Sequence, residues 1–212
     1  MKETFWLDKW EKNDIGFHEQ SGNSLLAEFF PELSLSSGNR VFLPLCGKTQ
    51  DIGWLKSKGL NIVGSELSEV AVKQLFQELG VTSQTERLHR LKRYHGDNTT
   101  IFVGDIFDLN AELLGTVDAI YDRAALVALP ADMRKAYTGH LMDITGTALQ
   151  LLISFEYEQS LLSGPPFSVS ARKVFDCYDA TYHVRMLRRR EVPGGLKGRV
   201  PAQEVAWLLT RR

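Results

Sequence analysis

Apolar residues gather in short runs separated by helix-length stretches of mixed polarity. Arg40 to Leu45, Ile62 to Glu66, Thr99 to Phe107, Val117 to Asp122 and Ala148 to Phe155 read as strands. The last of these is nearly continuous, as in a strand buried on both faces. Between them, Ala71, Val72, Leu75, Phe76 and Leu79 recur at helical spacing, as do Met133, Tyr137, Leu141 and Ile144. Alternating strands and helices predict a parallel sheet with right-handed crossovers. Tyr182 to Arg190 and Glu204 to Thr210 flank Pro193-Gly194-Gly195, so they predict an antiparallel pair; Ser168 to Tyr178 before them reads as a helix. Val81 to Asn98 is basic and poor in apolar residues, and reads as a solvated connection in preference to a nucleic-acid patch. Arg188-Arg189-Arg190 reads as a solvated strand end. With no repeat and no linker, one domain over 1–212 is expected, residues 1–39 forming an N-terminal cap.

Arg40 to Glu66 organises the rest. Pro44 falls near the end of the first apolar run, where a missing N–H costs least. Cys46-Gly47-Lys48 makes the turn, and Thr49 is the expected helix N-cap. Lys56 and Lys58 suit the last turn, and Gly59 suits a left-handed C′ position. Ligands of such units bind outside the carboxyl ends of the strands, near N–H groups at a helix N-terminus. An acidic residue ending the second strand, roughly 20 residues past the turn, binds ribose hydroxyls. Glu66 stands there; the plainer reading is a charged residue ending a strand by chance. Gly47 alone is not a dinucleotide fingerprint, and no phosphate-binding GxxxxGK[ST] is present. A nucleoside ligand without a diphosphate fits better, S-adenosylmethionine being the common one.

Other candidates lie along the same rim. Asp105 either accepts from an adenine amino group or caps a loop. Arg123, after the fourth strand, either faces the ligand or pairs with Asp122 or Asp118. In the leader, Trp6 and Trp10 share a helical face; they pack on the sheet or cap the ligand, since aromatic faces stack on adenine and attract a sulfonium. His18, beside Phe17, reads as a hydrogen-bonding side chain with no second metal ligand at a suitable spacing. Leu25, Leu26, Phe29 and Phe30 suggest a short helix stopped by Pro31. Gly164-Pro165-Pro166-Phe167 is either a lid or a linker.

Composition narrows the class. A net charge of -1 argues against nucleic acid as the main partner. The 2 cysteines, Cys46 and Cys177, suit a reducing cytoplasm rather than a disulfide framework. Cys46 is better read as a small turn residue than as a nucleophile. No apolar run is long enough to span a membrane, and MKETFWLDKW lacks an apolar signal region. No metal-ligand cluster and no Ser/His/Asp set competes for the chemistry.

FWLDKW with GFHEQSGN, then VFLPLCGKTQDIGWL, IVGSELSEVAV, GDIFDL, YDRAALVALP and GPPF, in that order from about Phe5 to Phe167, resemble the thiopurine S-methyltransferase family in its bacterial form. The resemblance implies a Rossmann-like class I methyltransferase fold: a seven-stranded, mostly parallel sheet whose last strand is antiparallel, with an N-terminal helical cap. It implies S-adenosylmethionine contacts from Trp10, Leu45, Glu66 and Arg123, with Asp105 and Ile106 at the adenine. Phe17 would help close the substrate pocket, and Arg123 would also face the acceptor sulfur as the catalytic, electrostatic residue. Family activity is methyl transfer to aromatic and heterocyclic thiols, associated in bacteria with selenium and tellurium compounds too. The competing expectation is a methyltransferase for halide, thiocyanate or an oxyanion. A cytoplasmic monomer acting on a small molecule in detoxification completes the picture.

Overall fold

The computed structural model describes residues 3–16 and 21–212. Among them, nine strands form one sheet: β1 (Arg40–Leu43), β2 (Asn61–Glu66), β3 (Gln84–Leu88), β4 (Leu91–Gly96), β5 (Thr99–Val103), β6 (Ala119–Arg123), β7 (Leu149–Tyr157), β8 (Tyr182–Glu191) and β9 (Ala202–Arg211). Their order is β3-β4-β5-β2-β1-β6-β7-β9-β8. The five strands from β5 to β7 are parallel, and β9 runs antiparallel to β7 and β8. The expected seven-stranded sheet with its antiparallel last strand is therefore present.

Two further strands correct that count. Val81 to Asn98 is not a plain connection but the β3–β4 hairpin, added to the β5 edge. Its pattern hid this: β3 is almost wholly exposed, and in β4 only Leu91 and Tyr94 turn inward. His89 takes the left-handed conformation in its tight turn (φ 53°). Glu69, accepting from Lys92 Nζ (2.7 Å) and Tyr94 Oη (2.5 Å), ties the hairpin to the sheet's neighbouring helix.

Helices cover both faces. On one lie α2 (Ser24–Phe29), α3 (Asp51–Ser57) and α4 (Glu69–Glu78), packed on Val41, Leu43, Ile62, Ile101, Tyr121 and Ile153. On the other lie α5 (Ala111–Leu114), α6 (Ala131–Thr145) and α7 (Ala171–Tyr178), packed on Phe42, Val63, Phe102, Leu152 and Trp207. Alternation along each strand assigns its neighbours to opposite layers. α1 (Glu3–Glu11) approaches α4. Gly59 (φ 79°) closes α3 and Ser68 caps α4 through the Ala71 N–H, as expected. Gln50, rather than Thr49, occupies the α3 N-cap, but the Thr49 hydroxyl still accepts from Asp51 N–H (3.3 Å). Pro31 does not stop the leader helix outright; it opens a 3-10 turn over Phe30–Leu33, where a missing N–H is tolerated. The arginines of β8 are ion-paired rather than merely solvated, Arg188 with Glu28, Arg189 with Glu156 and Arg190 with Glu204.

Candidate active site

Strained backbone clusters where the parallel strands end. Leu45 (φ 46°) and Gly47 (φ 54°) follow β1, and Ala124 (φ 64°) follows β6. A γ-branched residue such as Leu45 is rare in this region, and such strain concentrates at functional sites. The β1 turn is held by three successive N–H groups pointing at β2. Leu45 N–H donates to Ser65 Oγ (3.3 Å), Cys46 N–H to Ser65 O (2.9 Å) and Gly47 N–H to Glu66 Oε2 (2.8 Å). Glu66 Oε1 accepts from Ser68 N–H (2.8 Å), so one carboxylate joins the ends of β1 and β2. Only 6% of Glu66 is exposed. Burial raises its pKa, and the Ser68 and Gly47 N–H groups partly oppose that.

The leader comes down on this turn. Trp10 is 4% exposed, and a Cβ built on Gly47 would sit 3.0 Å from its Cζ2. Gly47 is therefore required twice, for its positive φ and for the indole's approach. Gly47→Ala is expected to destabilise the fold by about 1 kcal/mol and to weaken nucleoside binding as Trp10 is displaced. Denaturant melts of the two proteins check the first effect and calorimetry the second. A cavity of about 620 Å³ opens between Asn13–Gly16 and Lys48, Gln50 and Glu78.

Farther along, the leader is pinned by a buried polar network that sequence reasoning missed. Asp51 Oδ1 accepts from Asn23 N–H (2.6 Å), and its Oδ2 accepts from Thr49 Oγ1 (3.1 Å) and Tyr121 Oη (3.0 Å). Asn23 Nδ2 donates to Glu204 Oε1 (2.8 Å). Arg123 is half-buried and leaves β6 on the same face as Tyr121. Of its two expected partners, Asp118 accepts from Arg40 N–H (2.6 Å), while Asp122 points into the opposite layer.

Glu66, Leu45, Trp10 and Gly47 thus converge around one turn, with Arg123 at the neighbouring strand end. Asp105 and Ile106 follow β5, which pairs with β2 up to Glu66 opposite Val103. Asp105 caps the Ile106–Asp108 turn, accepting from Phe107 N–H (3.0 Å). His140 Nε2 donates to the Ile106 carbonyl (2.8 Å), which assigns that nitrogen its proton. Phe17 and His18 lie outside the described residues. The Gly164–Phe167 loop is tied down: Phe167 N–H donates to Val127 O (2.6 Å) and Tyr157 Oη to Pro166 O (2.7 Å). Cys46 is buried, and burial together with the Glu66 charge pushes its thiol well up, so it is no thiolate nucleophile. No cluster suited to a metal occurs among the described residues, nor a helix long and apolar enough to cross a membrane.

Comparison with known proteins decides what this rim belongs to. The family model described as thiopurine S-methyltransferase matches residues 1–208. The chain belongs to the thiopurine S-methyltransferase family. The thiopurine S-methyltransferase of Teredinibacter turnerae is 49% identical, over 100% of this chain and 98% of that protein. Among solved structures, an S-adenosylmethionine-dependent methyltransferase from Anabaena variabilis aligns at TM-score 0.68 and 14% identity, covering 99% of this chain and 95% of that one. Magnesium protoporphyrin IX methyltransferase from Synechocystis, with bound S-adenosylhomocysteine, aligns at TM-score 0.65 and 15% identity, covering 98% and 99%. At such identity the structures share the fold. The thiopurine S-methyltransferase match runs well past Phe167, so the C-terminal third belongs to the family pattern too.

Asp122 is the titratable group to watch in this family member. It is fully buried, and desolvation pushes its pKa up to about 6 from the ordinary 3.8, against the opposing Leu126 N–H and Tyr137 hydroxyl. Tyr137 of α6 and Tyr178 of α7 are the titratable groups facing it. A carboxyl with a raised folded-state value favours folding fully below its unfolded value, and that contribution is lost as pH rises through about 6. Asp122→Asn is expected to melt a few degrees above the parent at pH values well above this range, and level with it below the ordinary aspartate value. Calorimetry across that pH window is the check.

Proposed function

We propose that this chain transfers the methyl group of S-adenosylmethionine to the sulfur of thiopurines and other aromatic or heterocyclic thiols. The observation that carries the reading is the family match across residues 1–208. We assign the cofactor contacts to Trp10, Leu45, Glu66, Asp105, Ile106 and Arg123, and Phe17 to the acceptor pocket. The residues present fit the nucleoside. Glu66 gives lone pairs to two backbone N–H groups and has capacity for a ribose hydroxyl, while Gly47 leaves the turn bare beneath an indole.

When bound, S-adenosylmethionine would supply an electrophilic sulfonium methyl for in-line displacement by the acceptor sulfur, the sulfonium C–S bond breaking and S-adenosylhomocysteine leaving. The chain's own share is positioning and electrostatics. Glu66 and the Gly47 turn fix the ribose; ideal positioning contributes up to about 7–11 kcal/mol. Trp10 excludes water where anion and cation neutralise each other. Arg123, always charged, biases an incoming thiol toward thiolate, so a strong general base is unnecessary. We assign the chain one domain, acting as a cytoplasmic monomer on small molecules in detoxification, selenium and tellurium compounds included.

Labelled S-adenosylmethionine with a panel of aromatic thiols, chalcogen oxyanions, halide and thiocyanate tests the reading. Label should pass to aromatic thiols; label passing to halide, thiocyanate or an oxyanion with none reaching a thiol would reject it.

A further inference from the structure

Asp122 lies behind Arg123 rather than beside it. The side chains of neighbouring strand residues point to opposite layers, so Asp122 enters the core under α6. Its Oδ2 accepts from Tyr137 Oη (2.8 Å) and its Oδ1 from Leu126 N–H (3.1 Å). The second bond closes a turn that begins with Ala124 in the left-handed region (φ 64°) and continues as a 3-10 turn over Leu126–Ala128. That conformation is unfavourable for alanine and persists only where surrounding bonds hold it. Both ends of the turn bear on the proposed site. Arg123 opens it. Near its close, the Val127 carbonyl accepts the Phe167 N–H (2.6 Å), which docks the Gly164–Phe167 loop. The Phe167 ring is backed 5.7 Å away by the guanidinium of Arg134, whose Nε donates to Leu129 O (3.0 Å) just past the same turn.

We propose that Asp122 is a positioning residue for methyl transfer: from beneath the sheet, its carboxylate sets the Arg123–Ala128 turn, and so aims Arg123 and seats the Phe167 loop together. Asp122 is fully buried, its carboxylate spent on groups within the core. Its two acceptor oxygens hold Leu126 N–H and the Tyr137 hydroxyl at a fixed spacing, and the turn cannot relax while both bonds stand. This rests on the reading that Arg123 faces the acceptor sulfur.

The test is a double-mutant cycle between Asp122→Ala and Arg123→Ala, with turnover on an aromatic thiol and S-adenosylhomocysteine affinity read separately. Asp122→Ala should lower turnover by roughly 10- to 100-fold, the scale of a misplaced reacting group. Its S-adenosylhomocysteine affinity should fall by a smaller factor than that of Arg123→Ala, because the Glu66 end of the site is untouched. In the double variant the two turnover losses should not multiply, because Asp122 acts through Arg123. Asp122→Asn keeps an acceptor for Leu126 N–H and an amide donor for the tyrosine oxygen, so it should recover most of the turnover. Should Asp122→Ala not fold, Tyr137→Phe enters the cycle in its place, with a smaller loss and the same non-additivity. Multiplying losses, or an asparagine variant as impaired as alanine, would overturn the proposal. An Arg123→Ala enzyme with unchanged turnover would instead reject the role given to Arg123, a separable result.

Discussion

Glu66→Gln is expected to weaken S-adenosylhomocysteine binding by about 1–3 kcal/mol, the scale of a lost hydrogen bond to a charged group, and Glu66→Ala by more. The glutamine variant is the sharper experiment. Glu66 has one N–H donor on each oxygen, Gly47 on Oε2 and Ser68 on Oε1. A glutamine can accept from only one of them, and its amide meets the other donor head-on. The β1 turn then loosens at Gly47, where Trp10 rests. The proposed ribose recognition and the shape of the turn should therefore fail together, whereas the adenine contacts proposed for Ile106 should survive. pH adds an independent readout. Burial holds the Glu66 pKa above its ordinary 4.5, and hydroxyl donors from a ribose favour the ionised form. Affinity should fall as pH drops through the Glu66 value, and the glutamine variant should lose that dependence. Calorimetric titration of both proteins across that range measures both effects. Unchanged affinity in Glu66→Gln would remove the carboxylate from the ribose.

How much of this could be read from the chain follows from where each signal resides. Arg40 to Glu66 was legible because it is local: an apolar run, a glycine turn, a capped helix, a second run and an acid at its end. The β3–β4 hairpin was not, because an edge ribbon with one face in solvent needs few apolar residues, and Leu91 and Tyr94 are too sparse for a period. Asp51 and Asp122 were missed for a different reason. Each reads as a surface acid in its own segment, a helix first turn and a strand end. Each is buried only because distant chain supplies its donors, Asn23 and Tyr121 for Asp51, Tyr137 for Asp122. The leader's aromatic density flagged Trp10, but not the turn under it. Where a polar side chain's partner lies 15, 28 or 70 residues away, pattern along the sequence carries no trace of it.

Arg123→Ala is expected to slow methyl transfer most for the least acidic thiols. A nearby guanidinium lowers a thiol's pKa by about 1–3 units, which is roughly 10- to 1,000-fold in thiolate fraction when the free thiol's value lies above the assay pH. For a thiol already ionised in solution that benefit vanishes, and only loss of positioning is left. Plotted against acceptor pKa, the ratio of parent to variant kcat should rise with a positive slope and level off at the acidic end. Arg123→Lys separates charge from shape. A lysine keeps the charge but not the planar fork, so it should preserve the slope while lowering all rates together. The pH profile gives the same answer by another route: for one weakly acidic thiol, the alkaline rise of kcat, which reports the bound thiol, should move to higher pH in Arg123→Ala and stay near the parent in Arg123→Lys. Equal losses across the acidity series, with no movement of that rise, would mean that Arg123 holds the cofactor and does nothing for the sulfur.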